Sequence, residues 1–244
     1  MSLPERAELI KEGPHWLMRL HPTTKADDLI GGNRDARQLL QDCQIHYARW
    51  EFPELPRART QFDVGEGWVS PAYDPYTADS YCRLHMSGQF VYMRTPIEIS
   101  NEGWQEELIS RAEDCIVFGR ERFEAADSPQ FLDIEQILRQ IIFWYLFSSR
   151  LAIKLDPHLT MKVSIELRQI QRTALMAPKN RLWHDYFETA CESIKYEFAS
   201  TGDALGGTIE QNSLKAIQFF MEHFGWLDSS ETIFVNEIRT YLSH

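Results

Sequence analysis

Histidines, cysteines and one Ser-Gly-Gln step are the residues of this chain with the widest chemical reach, and their spacing decides what each can do. His15 and His21 flank one apolar run, His46 and His85 fall in or beside extended stretches, and His158 follows a proline. None pairs as HxxxH or HExxH, the spacings that bring two imidazoles to one helix face for zinc, so satisfied or surface histidines are expected and no metal. Cys43, Cys82, Cys115 and Cys191 are dispersed without a CxxC pair, which points to free thiols in a reducing compartment. No GxSxG elbow surrounds Ser87 and no cysteine-protease signature is present, so no catalytic residue is assigned. Gly31-Gly32 and Gly206-Gly207 lack the context of a phosphate cradle, and no cofactor is expected. The carboxylate pairs Glu106-Glu107 and Glu113-Asp114 read as solvated helical faces.

Binding is easier to place than catalysis. Within YCRLHMSGQFVYMRTP (Tyr81 to Pro96), Ser87 and Gln89 either contact a ligand together with Arg49 and Trp50, or the step Ser87-Gly88 turns the chain from a helix end into a strand. Turn chemistry favours the second account and demands a positive φ, or a close backbone approach, at Gly88. Trp68 and Tyr73, on a long connection, have the chemistry of anchors in a protein-protein contact. Between Arg150 and Arg181 the basic residues outnumber Asp156 and Glu166, and Lys162, Arg168 and Arg172, with Trp183 and Tyr186 near in sequence, are candidates for contacting an anion or single-stranded nucleic acid. A solvated sheet face is the simpler account of that strip. The net charge of -11 repels phosphate backbones, so nucleic acid is a disfavoured partner and a protein partner the favoured one.

These residues need elements to position them. His15 to His21 reads as a strand, Asp35 to Cys43 as a helix, and Gln44 to Phe52 as a second strand by its alternation. Pro53 to Pro75 is punctuated by proline and glycine and reads as a long connection, followed by a short helix over Asp74 to His85 and a strand over Gln89 to Ile99. From Trp104 the pattern turns helical, with Asp133 as N-cap of a long core helix that presents Ile134, Ile137, Leu138, Ile141, Trp144 and Tyr145. Met161 to Met176 alternates as a half-buried strand and, with Ser193 to Phe198, suggests a small second sheet. Thr201 to Thr208 reads as a flexible breaker before two closing helices, one lined by Leu214, Ile217, Phe220, Met221 and Phe224, the other by Ile233, Ile238, Tyr241 and Leu242. The run Ile141 to Phe147 is too short to span a bilayer and the N-terminus has no apolar signal region, so a cytoplasmic protein without membrane association is expected.

The expected fold is α+β: a mixed or antiparallel sheet packed by a long central helix, with C-terminal helices, as one domain over 1–244 with a weak compositional break near Ser100. The pattern HWLMRLHPTTKADDLI, then IHYARWEFPEL, then RLHMSGQFVYMRTPIEI resembles a segment of uncharacterised bacterial proteins that carry a Schlafen/AlbA-like N-terminal domain, many described as DNA-binding or ATP-binding. The likeness covers roughly residues 15 to 100, and the AlbA-like domain itself is absent from this sequence, so its chemistry does not carry over. The resemblance implies an accessory or sensing domain of a bacterial regulatory or defence system and supplies no catalytic residue. A non-enzymatic interaction or regulatory module is the first expectation. A hydrolase or nuclease whose site is assembled from residues remote in sequence is the second, and a nucleic-acid binder using the basic strip the third.

Overall fold

The computed structural model describes residues 3–24, 28–48, 50–55, 62–72, 79–100, 102–126, 130–177, 185–227 and 231–243. In chain order the elements are α1 (Leu3–Lys11), β1 (His15–Pro22), α2 (Asn33–Cys43), β2 (Ile45–Tyr47), β3 (Trp50–Phe52), β4 (Phe62–Gly65), β5 (Trp68–Pro71), β6 (Ser80–His85), β7 (Phe90–Arg94), α3 (Ile97–Ser100) and α4 (Glu102–Cys115). They continue with α5 (Arg120–Glu124), β8 (Gln130–Asp133), α6 (Ile134–Leu155), β9 (Thr160–Arg168), β10 (Thr173–Met176), β11 (Ser193–Thr201), α7 (Gly202–Gly207), α8 (Ile209–His223) and α9 (Glu231–Leu242). The fold is α+β. A seven-stranded antiparallel sheet runs β11-β9-β1-β7-β6-β5-β4 and takes strands from both sides of Ser100.

Strand alternation gives that sheet two different faces. Trp16, Met18 and Leu20 of β1, in register with Leu167, Ile165 and Val163 of β9, point into the main core with Phe90 and Tyr92 of β7. Helix α6 lies on this face. Asp133 caps it, its side chain accepting the Glu135 N–H at 2.8 Å, and the apolar positions that follow are buried almost all round the helix. Such a helix cannot face water, so the sheet covers one side while α7, α8 and α9 cover the other. Rings lock the contact: Phe90 meets Phe147 at 4.6 Å and Phe52 meets Tyr92 at 4.7 Å. Among the described residues no helix is long and apolar enough to cross a membrane.

Several local expectations are corrected, each for a physical reason. Ser80–His85 is strand β6, not the end of a helix, because Ser80, Cys82 and Leu84 face inward with period two while pairing with β7. The predicted strand Gln89 to Ile99 stops at Arg94, ahead of Pro96, and α3 begins at Ile97. Gln44 to Phe52 folds back on itself as the β2–β3 hairpin, its turn made by Ala48 at φ 51. The connection Pro53 to Pro75 contains the β4–β5 hairpin, where Gly65 is required because a Cβ there would stand 2.1 Å from the Trp68 ring. Strands β9 and β11 join the main sheet; the separate sheet in that region is the parallel pair β8–β10. Thr201 to Thr208 is no breaker but helix α7, capped by Thr201, with Gly202 pressed against the Ala152 backbone. In α9, Phe234 takes the buried place predicted for Ile233, which is exposed.

Candidate functional site

The second face of the large sheet is only partly covered. Helix α1 lies across it, setting Ile10 and Ala7 on Leu17, Tyr81, Val91 and Met93. Beside that small apolar patch opens a cleft of about 630 Å³ lined by Glu8, Lys11, His15, Arg19, Arg83, His85 and Arg168 along with the apolar residues. A second depression of about 380 Å³ adjoins it through Lys11, His15 and Arg168. This volume falls in the range of small-ligand sites.

The register of the strands sets the chemistry. Arg19 of β1 and Arg83 of β6 both stand opposite Val91 of β7, one on each side. The two arginines therefore share one cross-strand row on one face, their Cα atoms roughly 10 Å apart by two strand spacings. On the other side of Arg19 stands Ser164 of β9. Neither arginine has a carboxylate partner among the described residues. Arg83 instead lies over the Trp68 ring at 4.3 Å, with Tyr81 at 5.7 Å.

Among the described residues, Ser164 Oγ, Arg83 Nε and His15 Nε2 are buried on this face without a hydrogen-bond partner. Orphans of this kind cost stability and call for an account, of which ligand binding is one. His15 is 1% exposed, and its Nδ1 donates to Gly13 O at 2.8 Å, which leaves Nε2 as the lone-pair nitrogen. Burial holds the His15 imidazole below its usual pKa; the Gly13 bond opposes that, Arg168 and Lys11 add to it, and Glu166 pulls the other way. Burial, with help from Arg83, lowers His85 as well. Both rings are favoured in the neutral form, and with Lys11 paired to Glu8 at 2.6 Å and Arg168 to Glu166, the standing positive charge of the cleft is that of Arg19 and Arg83.

The predicted site residues divide. Trp68 lies on this open face, and strand alternation puts Gln89 and Lys162 on it too; His85 N–H donates to Gln89 O at 2.8 Å. Ser87 sits in the β6–β7 turn, where Gly88 has the expected φ of +79. Trp50 is elsewhere, packed on the main core under the Arg139 guanidinium at 3.6 Å. Arg49 and Tyr73 lie outside the described residues, as do Lys179, Arg181 and Trp183. The basic strip is offset by acids: Lys162 pairs with Glu197 at 2.8 Å, Arg168 with Glu166 at 2.8 Å and Arg172 with Glu188 at 3.6 Å. Tyr186 is buried with Phe123 and Phe131, beside the Arg172–Glu188 pair.

A second polar cluster lies in the interior. Glu98 is 1% exposed, accepts the Asp133 N–H at 3.2 Å, and lines a cavity of about 20 Å³ with Trp50, Gln136, Arg139 and Gln140. Burial pushes its carboxyl up to about 7. Nearby, Tyr92 donates to Glu54 at 2.9 Å and Arg94 pairs with the same carboxylate. The cavity is of the size that holds a single water, so this acid has a proton to exchange but little room for a substrate.

Among the described residues no group of three His, Cys, Asp or Glu side chains is arranged to hold a metal, and all four cysteines are free. Arg19, Arg83, His15 and Ser164 were missed as site residues. Their signal was the alternation Leu17-Arg19-His21 and Tyr81-Arg83-His85, and reading the latter stretch as a helix end hid it. Comparison with protein-family models, with curated proteins and with solved structures returns no match.

Proposed function

We propose that this protein is a non-enzymatic sensing or interaction domain that captures an anionic ligand on the open face of its large sheet. The observation that supports this reading is the pair Arg19 and Arg83, two guanidiniums without carboxylate partners among the described residues, in one cross-strand row of a ligand-sized cleft. In a chain of net charge -11, uncompensated arginines on a concave surface mark the place where an anion is met. The ion pairs of Lys162, Arg168 and Arg172 favour a compact anion over a long polyanion, which needs many free cations along its track. A role in a bacterial regulatory or defence system is the part of the proposal that rests on the resemblance alone.

The test is calorimetric titration of the full chain with phosphate, citrate, an acidic peptide and a short single-stranded oligonucleotide, repeated with the double variant Arg19→Ala/Arg83→Ala. Saturable binding of an anion by the parent chain and its loss in the folded double variant is the expected result. If no anion binds, or if binding survives the double substitution unchanged, the reading is wrong.

A further inference from the structure

We infer that the ligand of this cleft is a phosphate monoester on an apolar or aromatic body, an assignment that rests on the anion-binding reading above and narrows it. Arg19 and Arg83 approach from opposite sides of Val91, and each guanidinium is a planar fork that takes two oxygens. One such fork saturates a carboxylate, whose two oxygens lie in one plane. Two forks rooted in one cross-strand row, one on each side of Val91, match a tetrahedral group with three terminal oxygens and a charge near -2, which a monoester carries at neutral pH.

Ser164 supplies the third donor. It stands next to Arg19 in the same row, 4% exposed, with a hydroxyl that has no partner. Arg19 is half-buried, and a phosphate held by its fork lies beside the Ser164 hydroxyl, which takes the remaining oxygen. Arg83 rests on the Trp68 ring of β5, on the side of β6 away from Val91, and leaves that ring to meet the phosphate beside Arg19.

The rest of the cleft fits the body of an ester rather than free phosphate. Leu17, Tyr81, Val91 and Met93 line it together with the cations, and its volume of about 630 Å³ far exceeds what a lone phosphate fills. The net charge of the chain argues against a diester polymer, as do the offset cations on β9.

The experiment compares phenyl phosphate, inorganic phosphate, dimethyl phosphate and benzoate as titrants against the full chain, then repeats the best of them with Arg19→Lys, Arg83→Lys and Ser164→Ala. Thermal unfolding of each variant shows that it remains folded. The expected order is phenyl phosphate above inorganic phosphate, with dimethyl phosphate and benzoate weakest. Each lysine variant should bind about tenfold more weakly, because an ammonium cannot reproduce the fork, and Ser164→Ala a few-fold more weakly. If benzoate equals phenyl phosphate and both depend on Arg19 and Arg83, the anion reading stands and the phosphate assignment falls. If inorganic phosphate equals phenyl phosphate, the ester body is wrong. If none of the four binds in a manner sensitive to Arg19 and Arg83, while citrate or the acidic peptide does, only this inference fails; if nothing does, both fail.

Discussion

Glu98 and His15 are a buried acid and a buried base, and they tie stability to pH in opposite senses. Burial raises the Glu98 carboxyl to about 7, so between its ordinary 4.5 and that value the folded chain keeps a proton that the unfolded chain has released. Its contribution is therefore full below about 4.5 and is lost as pH rises through 7. His15 is lowered, so the unfolded chain takes the proton first. Its contribution is full above the ordinary 6.5 and is lost as pH falls below that. Glu98→Gln keeps an oxygen for the Asp133 N–H and removes the charge. Denaturant unfolding at pH 8 should find this variant more stable than the parent, by up to the order of 3 kcal/mol implied by the shift, while below the ordinary 4.5 the two should converge. A variant weaker at pH 8 would show that the ionised Glu98 is held by Arg139 and not merely tolerated. None of this was legible in the sequence, where Glu98 is one acid among many. Its burial depends on α3 packing near β8, which no local pattern announces.

The turn from β6 to β7 was the most legible element, and for a reason that glycine chemistry supplies. Gly88 at φ +79 is in the left-handed region, and an added Cβ would also stand 3.0 Å from Leu29 Cδ1 and 3.1 Å from Leu155 Cδ1. Gly67, in the β4–β5 turn, has φ +72 with open space around it. Gly67→Ala should therefore cost about 1 kcal/mol of backbone strain alone, and Gly88→Ala more, about 2 kcal/mol, since it must also displace two leucines. Urea titration of both variants tests the ranking; equal costs would mean that Leu29 and Leu155 yield freely. The long helix α6 was equally readable, through its cap at Asp133 and its spacing of apolar positions. What misled were glycines whose purpose is close approach. Gly65 clears the Trp68 ring and Gly202 clears the Ala152 backbone, yet in sequence both look like breaks. So β4, β5 and α7 were passed over as connection, and with β6 read as helix the row that carries Arg83 could not be seen.

At the scale of the whole molecule, α+β architecture could be read from the mixture of periods, but strand order could not. Strand β1 lies between β7 and β9, and pairing of His15 with Arg168 is decided by how the two faces bury, not by anything near either residue. Net charge misdirects in the same way, because a sum of -11 hides two arginines placed in one row. The packing also divides. Leu108, Ala112, Ile116, Phe123, Phe131, Ala174, Met176 and Tyr186 form a cluster of their own, built by α4, α5, β8 and β10 and separate from the core under the large sheet. Strand β8 bridges the two, with Phe131 in the small cluster and Leu132 in the large one. A cluster with its own core can open while the sheet stays closed. Phe131, fully buried between Phe123 at 6.1 Å and Tyr186 at 6.3 Å, is the ring whose loss empties it, at a cost of about 3–5 kcal/mol. In Phe131→Ala, hydrogen exchange should quicken at the amides of α4, β8 and β10 while those of β1, β6, β7 and β9 keep their protection, and the anion cleft, which is built on the latter strands, should bind as before. Equal loss of protection in β9 would mean that the two clusters unfold as one, and any effect of the substitution on binding would then be an effect on the whole fold.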